Sequence, residues 1–486
     1  MASLRELAIR SIVWTGSGNV VSTLLQFVFT AILANLLGPA DFGAMSVILI
    51  VSGLVGLISD LGLSTAVIQD QQITAEEMSS FFYLNIFFGV VLSSTVYLCS
   101  GFLSVFFHDT SLEPILKLSS VLYILTGLSS TFRPLLQKSL RFSDMAVTDV
   151  AGVIAYGVCA IGFASQGFGA QSLVFGLLCR HGTEVLLLWR QTKFKPLPTI
   201  RFNPRKSLIR FSAFVLGERF LNYFNRNLDN ILIGRFLGVE ALGYYSLAYQ
   251  IVMIPVSRIS QIVGRIAFPI FSQVQHENDK IRSGYVHMLE YVSIVSIPLL
   301  GISVLVAPEF VRLVYGARWE PVILLIQIFS VLGMVESIGT TVGSVLYAKN
   351  RPDIAFGYNI VNLVFTAIAI IAGMQVGGTL GIASFVTILA FPLAWMWHSR
   401  TNSLIGLSWS AFLTPLRFSG FALCVVVFSG LLAKLSLNIS SLSNNPVIVG
   451  GLTLATAAIC FFLVLVRFRR SLVSEFMEHV SLSLKA

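Results

Sequence analysis

The chain has 486 residues, of which 55% are hydrophobic and only 11% charged, and a formal net charge of +9. Soluble domains carry roughly 25% charged residues, so a water-soluble core is excluded as the place for this apolar surface; a bilayer takes it. The positive charge does not indicate nucleic acid, because the basic residues are scattered between apolar stretches and form no patch on a folded domain.

At about 20 apolar residues per crossing, the sequence predicts an all-α polytopic membrane protein with about fourteen transmembrane helices. They fall near 11–37, 42–68, 79–107, 114–137, 145–166 and 170–190. After a polar stretch they resume near 207–237, 243–273, 283–306, 320–347, 354–375, 379–399, 417–435 and 446–468. Gly38-Pro39, Glu113-Pro114, Ala307-Pro308, Arg351-Pro352 and Asn445-Pro446 stand at or near the turns. Cys99, Cys159, Cys179, Cys424 and Cys460 all lie inside apolar spans and form no CxxC. They read as small buried hydrophobes, not as a disulfide frame or a metal site.

An even number of spans puts both termini on one side. Of the 32 Lys and Arg residues, 21 fall in the loops and tails of that side and two, Arg312 and Arg318, on the other. The positive-inside rule makes the basic side, and both termini, cytoplasmic. Loop 69–78 dissents, with Asp70, Glu76, Glu77 and no basic residue; acidic residues count for little in the rule. The basic, proline-containing segment 196–206 reads as a linker between an N-terminal lobe (1–195, spans one to six) and a C-terminal lobe (207–400, spans seven to twelve). Residues 401–486 supply a terminal helix pair and tail. Leu37, Gly38, Gly43 and Ser46 recur as Leu237, Gly238, Gly243 and Ser246, an offset of 200 at the same place in the span order. Both copies follow a span of the same direction, so the repeat is parallel, an architecture in which substrate lies where the halves meet.

A charge at the bilayer centre costs about 2.5–3.5 kcal/mol on insertion scales. Span seven nevertheless carries Arg219, Asn222, Arg226 and Asp229 at 3-4-3 spacing, on one helix face. Span eight carries Arg258, Gln261 and Arg265, again on one face. Span one shows an uncharged version, and the offset of 200 sets Asn19 against Arg219 and Gln26 against Arg226. Arginine exceeds acid on the two basic stripes, which favours an anionic ligand, since guanidinium binds phosphate oxygens bidentately. The competing reading is structural glue: Asp229 neutralises Arg226, and Arg180 and Glu184, four apart in span six, form an internal pair. Asp60 in span two and Glu336 in span ten stand as proton sites, cation sites or arginine partners. No Walker loop, HExxH or large extramembrane domain appears, and the six histidines show no ligand spacing. The chain therefore reads as no enzyme and as needing no cofactor or metal.

Two strings are more specific. Leu228-Asp229-Asn230-Ile231-Leu232-Ile233-Gly234-Arg235-Phe236-Leu237-Gly238 precedes Gly243-Tyr244-Tyr245-Ser246-Leu247-Ala248-Tyr249, and Leu36-Leu37-Gly38-Pro39-Ala40-Asp41-Phe42-Gly43 opens the first copy. With Asp60-Leu61-Gly62-Leu63 they make the chain resemble the polysaccharide-type flippases of the MOP (multidrug/oligosaccharidyl-lipid/polysaccharide) superfamily, of the Wzx or colanic-acid exporter type. The resemblance implies two six-helix lobes in a V, as in MATE transporters, plus a terminal pair, in a bacterial inner membrane. It implies an undecaprenyl-pyrophosphate-linked oligosaccharide as substrate, moved to the periplasmic leaflet for exopolysaccharide or lipopolysaccharide assembly, with polymerase or export machinery as further partners. Arg219, Arg226, Arg258 and Arg265 are then expected to hold pyrophosphate, and Asn19, Gln26, Asn222, Asp229 and Gln261 the sugars. Span one departs from related murein-lipid flippases in lacking arginine. The rival from the same superfamily, a MATE-like drug or organic-cation antiporter, wants acids in span one, where there are none. A membrane polymerase or ligase wants a large periplasmic loop, and the longest here, about 307–320, is short.

Overall fold

A computed structural model of the chain describes residues 4–59, 74–198, 206–439 and 446–468. Their regular structure is helical throughout. In chain order the helices are α1 (Leu4–Leu36), α2 (Pro39–Ser59), α3 (Ala75–Phe106), α4 (Leu112–Ser119), α5 (Val121–Ser129), α6 (Phe132–Lys138), α7 (Phe142–Ala164), α8 (Ala170–Thr192) and α9 (Lys206–Phe236). Then come α10 (Val239–Gln273), α11 (Asn278–Val314), α12 (Pro321–Gly339), α13 (Val342–Ala348), α14 (Pro352–Ile405), α15 (Trp409–Ile439) and α16 (Pro446–Phe468).

Among the described residues, twelve stretches are long and apolar enough to cross a membrane. The chain is thus a multi-pass membrane protein. Large apolar side chains such as Leu98, Leu186, Ile388 and Phe428 lie exposed along these helices, as a lipid-facing surface requires and a water-facing one does not allow. One stretch, Pro352–Ile405, takes two of the spans expected from sequence. Its backbone leaves the helix at Gly377 and Gly378, between the spans placed at 354–375 and 379–399. Gly378 has φ +56, which glycine adopts without strain. The span expected at 207–237 is α9, a helix of spanning length whose charged and amide residues keep it outside the twelve. Asp60 and most of the linker, residues 199–205, lie outside the described residues.

Local chemistry explains the boundaries. Pro39 opens α2 at a position where no N–H is needed, and the Gly38 N–H donates to the Asp41 carboxylate at 2.9 Å. Thr74 and Glu77 form a reciprocal capping box ahead of α3. The fourth span is broken into α4, α5 and α6 without glycine or proline at the breaks. There Ser119 and Ser120 donate to the carbonyls of Leu116 (2.9 Å) and Lys117 (2.7 Å), and Ser129 and Ser130 to those of Thr126 (3.1 Å) and Gly127 (2.8 Å). Such back-bonding competes with the helical ladder and bends it.

By its contacts the chain divides into two units, Met1–Tyr244 and Tyr245–Ala486. In the first, α1 packs on α7, α7 on α8, and α9 on α2. Lipid offers no hydrophobic drive between helices, so close approach of small residues does the work. A methyl placed on Gly18 of α1 would come within 2.8 Å of the Ala146 Cβ of α7. At the two copies of the repeated turn, a Cβ on Gly43 would overlap the Val239 carbonyl, and one on Gly243 the Pro39 carbonyl. In the second unit, α15 and α16 pack on α11 around Leu305, Val426 and Ala457. A larger core joins Phe271, Tyr285, Leu289, Val345 and Phe412.

Candidate functional site

The position of α9 sets the polar stripe of the first unit. The Tyr223 hydroxyl donates to the Ile50 carbonyl of α2, and the tyrosine ring lies so close to Gly53 that a methyl there would meet it at 2.6 Å. At the far end, Arg235 donates to the Phe106 carbonyl at 2.5 Å and lies over the Phe106 ring at 5.2 Å. It sits on the last carbonyls of α3, where the helix dipole favours a cation. With the middle and the C-terminal end of α9 held in this way, Arg219, Asn222 and Asp229 are half-buried and Arg226 is exposed. The Asp229 carboxylate accepts from the Asn230 N–H at 2.8 Å. On α1, Asn19 and Gln26 are exposed, and their backbone carbonyls accept from Thr23 and Thr30, each at 2.7 Å.

In the second unit Arg258 and Gln261 are exposed on α10, one turn beyond Pro255. The side chain of Arg265 lies outside the described residues. Glu336 is exposed on α12, within electrostatic reach of Tyr358, whose ring stacks on Trp397 with centroids 4.1 Å apart.

These helices belong to a chain whose relatives are known. A family profile described as "Polysaccharide biosynthesis protein" matches residues 32–324. The chain belongs to this family. Among curated relatives it is 29% identical over 383 residues to the lipopolysaccharide biosynthesis protein WzxC of Escherichia coli K12, covering 78% of each chain. It is 29% identical over 476 residues to the teichuronic acid biosynthesis protein TuaB of Bacillus subtilis 168, covering 96% of this chain and 97% of the relative. The fold is that of the lipid II flippase MurJ in an inward closed conformation, with a TM-score of 0.72 at 14% identity over 95% of this chain and all of that one. An inward-facing MATE transporter of the MOP superfamily follows, with a TM-score of 0.65 at 14% identity over 79% of this chain and 94% of that one. The expected resemblance to polysaccharide biosynthesis proteins therefore holds, and the expected fold is shared with MurJ and the MATE transporter.

A second charged group in this family member extends the pair expected from sequence. Arg180 Nε donates to Glu184 Oε1 at 3.1 Å on α8, so the internal pair is formed. It is part of a larger set: Arg133 of α6 lies 2.5 Å from Asp149 of α7 and 3.7 Å from the other Glu184 oxygen. His181 Nδ1 stands 3.5 Å from that oxygen, long for a hydrogen bond. Glu184 is 5% exposed, and Gly152 of α7 leaves the room it occupies, since a methyl there would sit 3.2 Å from its carboxylate. Two arginines thus balance two carboxylates across three helices. Sequence reasoning missed Arg133 and Asp149. The signal was available, because both are charges inside predicted spans, and the rule that singled out spans six to eight applies to them equally. It also missed Lys434 of α15, whose ammonium lies 2.9 Å from Glu309 of α11 and donates to the Leu305 carbonyl.

Proposed function

We propose that the chain is a flippase that moves undecaprenyl-pyrophosphate-linked oligosaccharide repeat units from the cytoplasmic to the periplasmic leaflet of a bacterial inner membrane, by alternating access. The observation that carries this reading is the placement of arginine on membrane-length helices, with Arg226 of α9 and Arg258 of α10 both exposed. At a cost of about 2.5–3.5 kcal/mol each in lipid, such groups belong where water or an anion meets them. Pyrophosphate is the anion of the right kind, because it offers oxygens for bidentate guanidinium contacts. The relatives named for lipopolysaccharide and teichuronic acid synthesis, and a structural neighbour named a lipid II flippase, support the same class of substrate.

In this reading Arg219, Arg226, Arg258 and Arg265 hold the pyrophosphate. Asn19, Gln26, Asn222, Asp229 and Gln261 meet the sugars, and the lipid tail stays in the bilayer. Both termini are cytoplasmic, and two six-helix lobes with a terminal pair do the rocking. Arg180 and Glu184 are structural. A MATE-like drug or organic-cation antiporter shares the fold, but such cargo wants a carboxylate to receive it. In the first unit Asp149 and Glu184 are already bonded to arginine.

The test is export of the cell's own polysaccharide by Arg226→Ala/Arg258→Ala. A charge-assisted bond is worth about 1.5–3 kcal/mol, so each loss weakens substrate binding roughly tenfold or more. Export is expected to be abolished while the protein remains in the membrane at normal level. Near-normal export contradicts the assignment.

A further inference from the structure

Five cysteines lie on five different helices, and two of them meet. Cys159 of α7 and Cys179 of α8 place their sulfurs 2.8 Å apart, closer than two sulfurs rest in simple van der Waals contact. The approach is built into the helix pair. Gly176, one turn before Cys179, leaves so little room that a methyl on it would lie 2.9 Å from the Ala160 Cβ and 3.0 Å from the Tyr156 carbonyl. Backbones this close bring facing Cβ atoms toward the roughly 3.5–4.5 Å that a disulfide needs. Cys179 is exposed on the outer surface of its span, and Cys159 is partly so. Both cysteines lie on helices of membrane-spanning length, so a small apolar oxidant dissolved in the bilayer reaches the pair.

We propose that Cys159 and Cys179 are a reversible cross-linking site that staples α7 to α8. The oxidant is dioxygen dissolved in the bilayer. Both S–H bonds break, one S–S bond forms, and the two protons and two electrons reduce dioxygen to hydrogen peroxide. A dithiol reverses the step. The staple joins the two helices that carry Asp149 and Glu184, and so holds together the charged group they share with Arg133 and Arg180. The exposure of Cys99, Cys179 and Cys424 corrects the expectation that the cysteines are buried.

The experiment counts thiols in the full-length protein in lipid nanodiscs. The protein is exposed to air with copper–phenanthroline as catalyst, quenched, denatured and tagged with a maleimide–polymer that retards it on a gel. The reduced protein is expected to take five tags, one per cysteine, the oxidised protein three, and the oxidised protein treated with dithiothreitol five again. Cys159→Ser is expected to take four tags before and after oxidation. Survival of all five tags after oxidation overturns the proposal, and so does a loss of two tags that persists in Cys159→Ser.

Discussion

Glu184 shows how one residue settles the interior of the first unit. It is almost fully buried, and Arg133, Arg180 and His181 converge on it from two helices. Removing one partner of a buried ion pair costs about 3–5 kcal/mol, because the other charge is left uncompensated. Arg133 and Arg180 keep 36% and 28% of their side-chain surface exposed. Water screens them in part, so the cost lies near the low end, at about 3 kcal/mol. Glu184→Gln is therefore expected to lower the thermal unfolding midpoint in detergent by several degrees, and Glu184→Gln/Arg180→Gln to recover part of the loss. An unchanged midpoint in the single variant contradicts this account. The i,i+4 spacing of Arg180 and Glu184 was legible because both lie on one helix. Asp149 and Arg133 come from two others, and no spacing rule connects residues 16 and 51 positions apart.

Some helix ends were legible and others were not: the turn expected at Ala307-Pro308 is absent, because α11 runs on to Val314 with Pro308 inside the helix. Gly38-Pro39 and Gly377-Gly378 mark turns where the backbone needs what glycine or proline supplies. Serine marks no such necessity. The breaks at Ser119-Ser120 and Ser129-Ser130 arise from hydroxyls that reach the preceding turn, and the same residues elsewhere sit in unbroken helix. Glycine at a close approach is the other case where residue type decides geometry. Gly43 and Gly243 each face a carbonyl four residues before the other, Val239 and Pro39. Neither position has room for a methyl. Gly43→Ala and Gly243→Ala are each expected to reduce the yield of folded, monodisperse protein severely. Gly420→Ala, where nothing lies within 4 Å of the added carbon, is expected to leave it unchanged. Size-exclusion chromatography in detergent decides; equal yields from all three variants contradict the packing described.

At the scale of the whole molecule, backbone turns recur between the two halves of the chain. Leu140 and Asn350 both have φ +54, and each is followed by an arginine whose N–H reaches back five residues, Arg141 to Leu136 and Arg351 to Leu346, both at 2.9 Å. Gly169 and Gly378 repeat left-handed backbone at nearly the same offset, with φ +54 and +56. Both pairs lie about 210 residues apart, against 200 for Gly43 and Gly243. In sequence only the recurrence at Gly43 and Gly243 was visible, because Leu140 and Asn350 share a conformation without sharing a residue type. The membrane class was legible from composition alone, and the family from the strings around Arg235 and Tyr244. The arginine stripe was legible as chemistry.

Its role is the central claim, and transport by purified protein in proteoliposomes tests it most directly. An undecaprenyl-pyrophosphate-linked oligosaccharide and a hydrophobic organic cation are offered in parallel, with wild type and Arg226→Ala. The glycolipid is expected to cross and the cation not to, and neutralising Arg226 is expected to slow the glycolipid roughly tenfold or more. Transport of the cation alone, or glycolipid transport indifferent to Arg226, would contradict the claim.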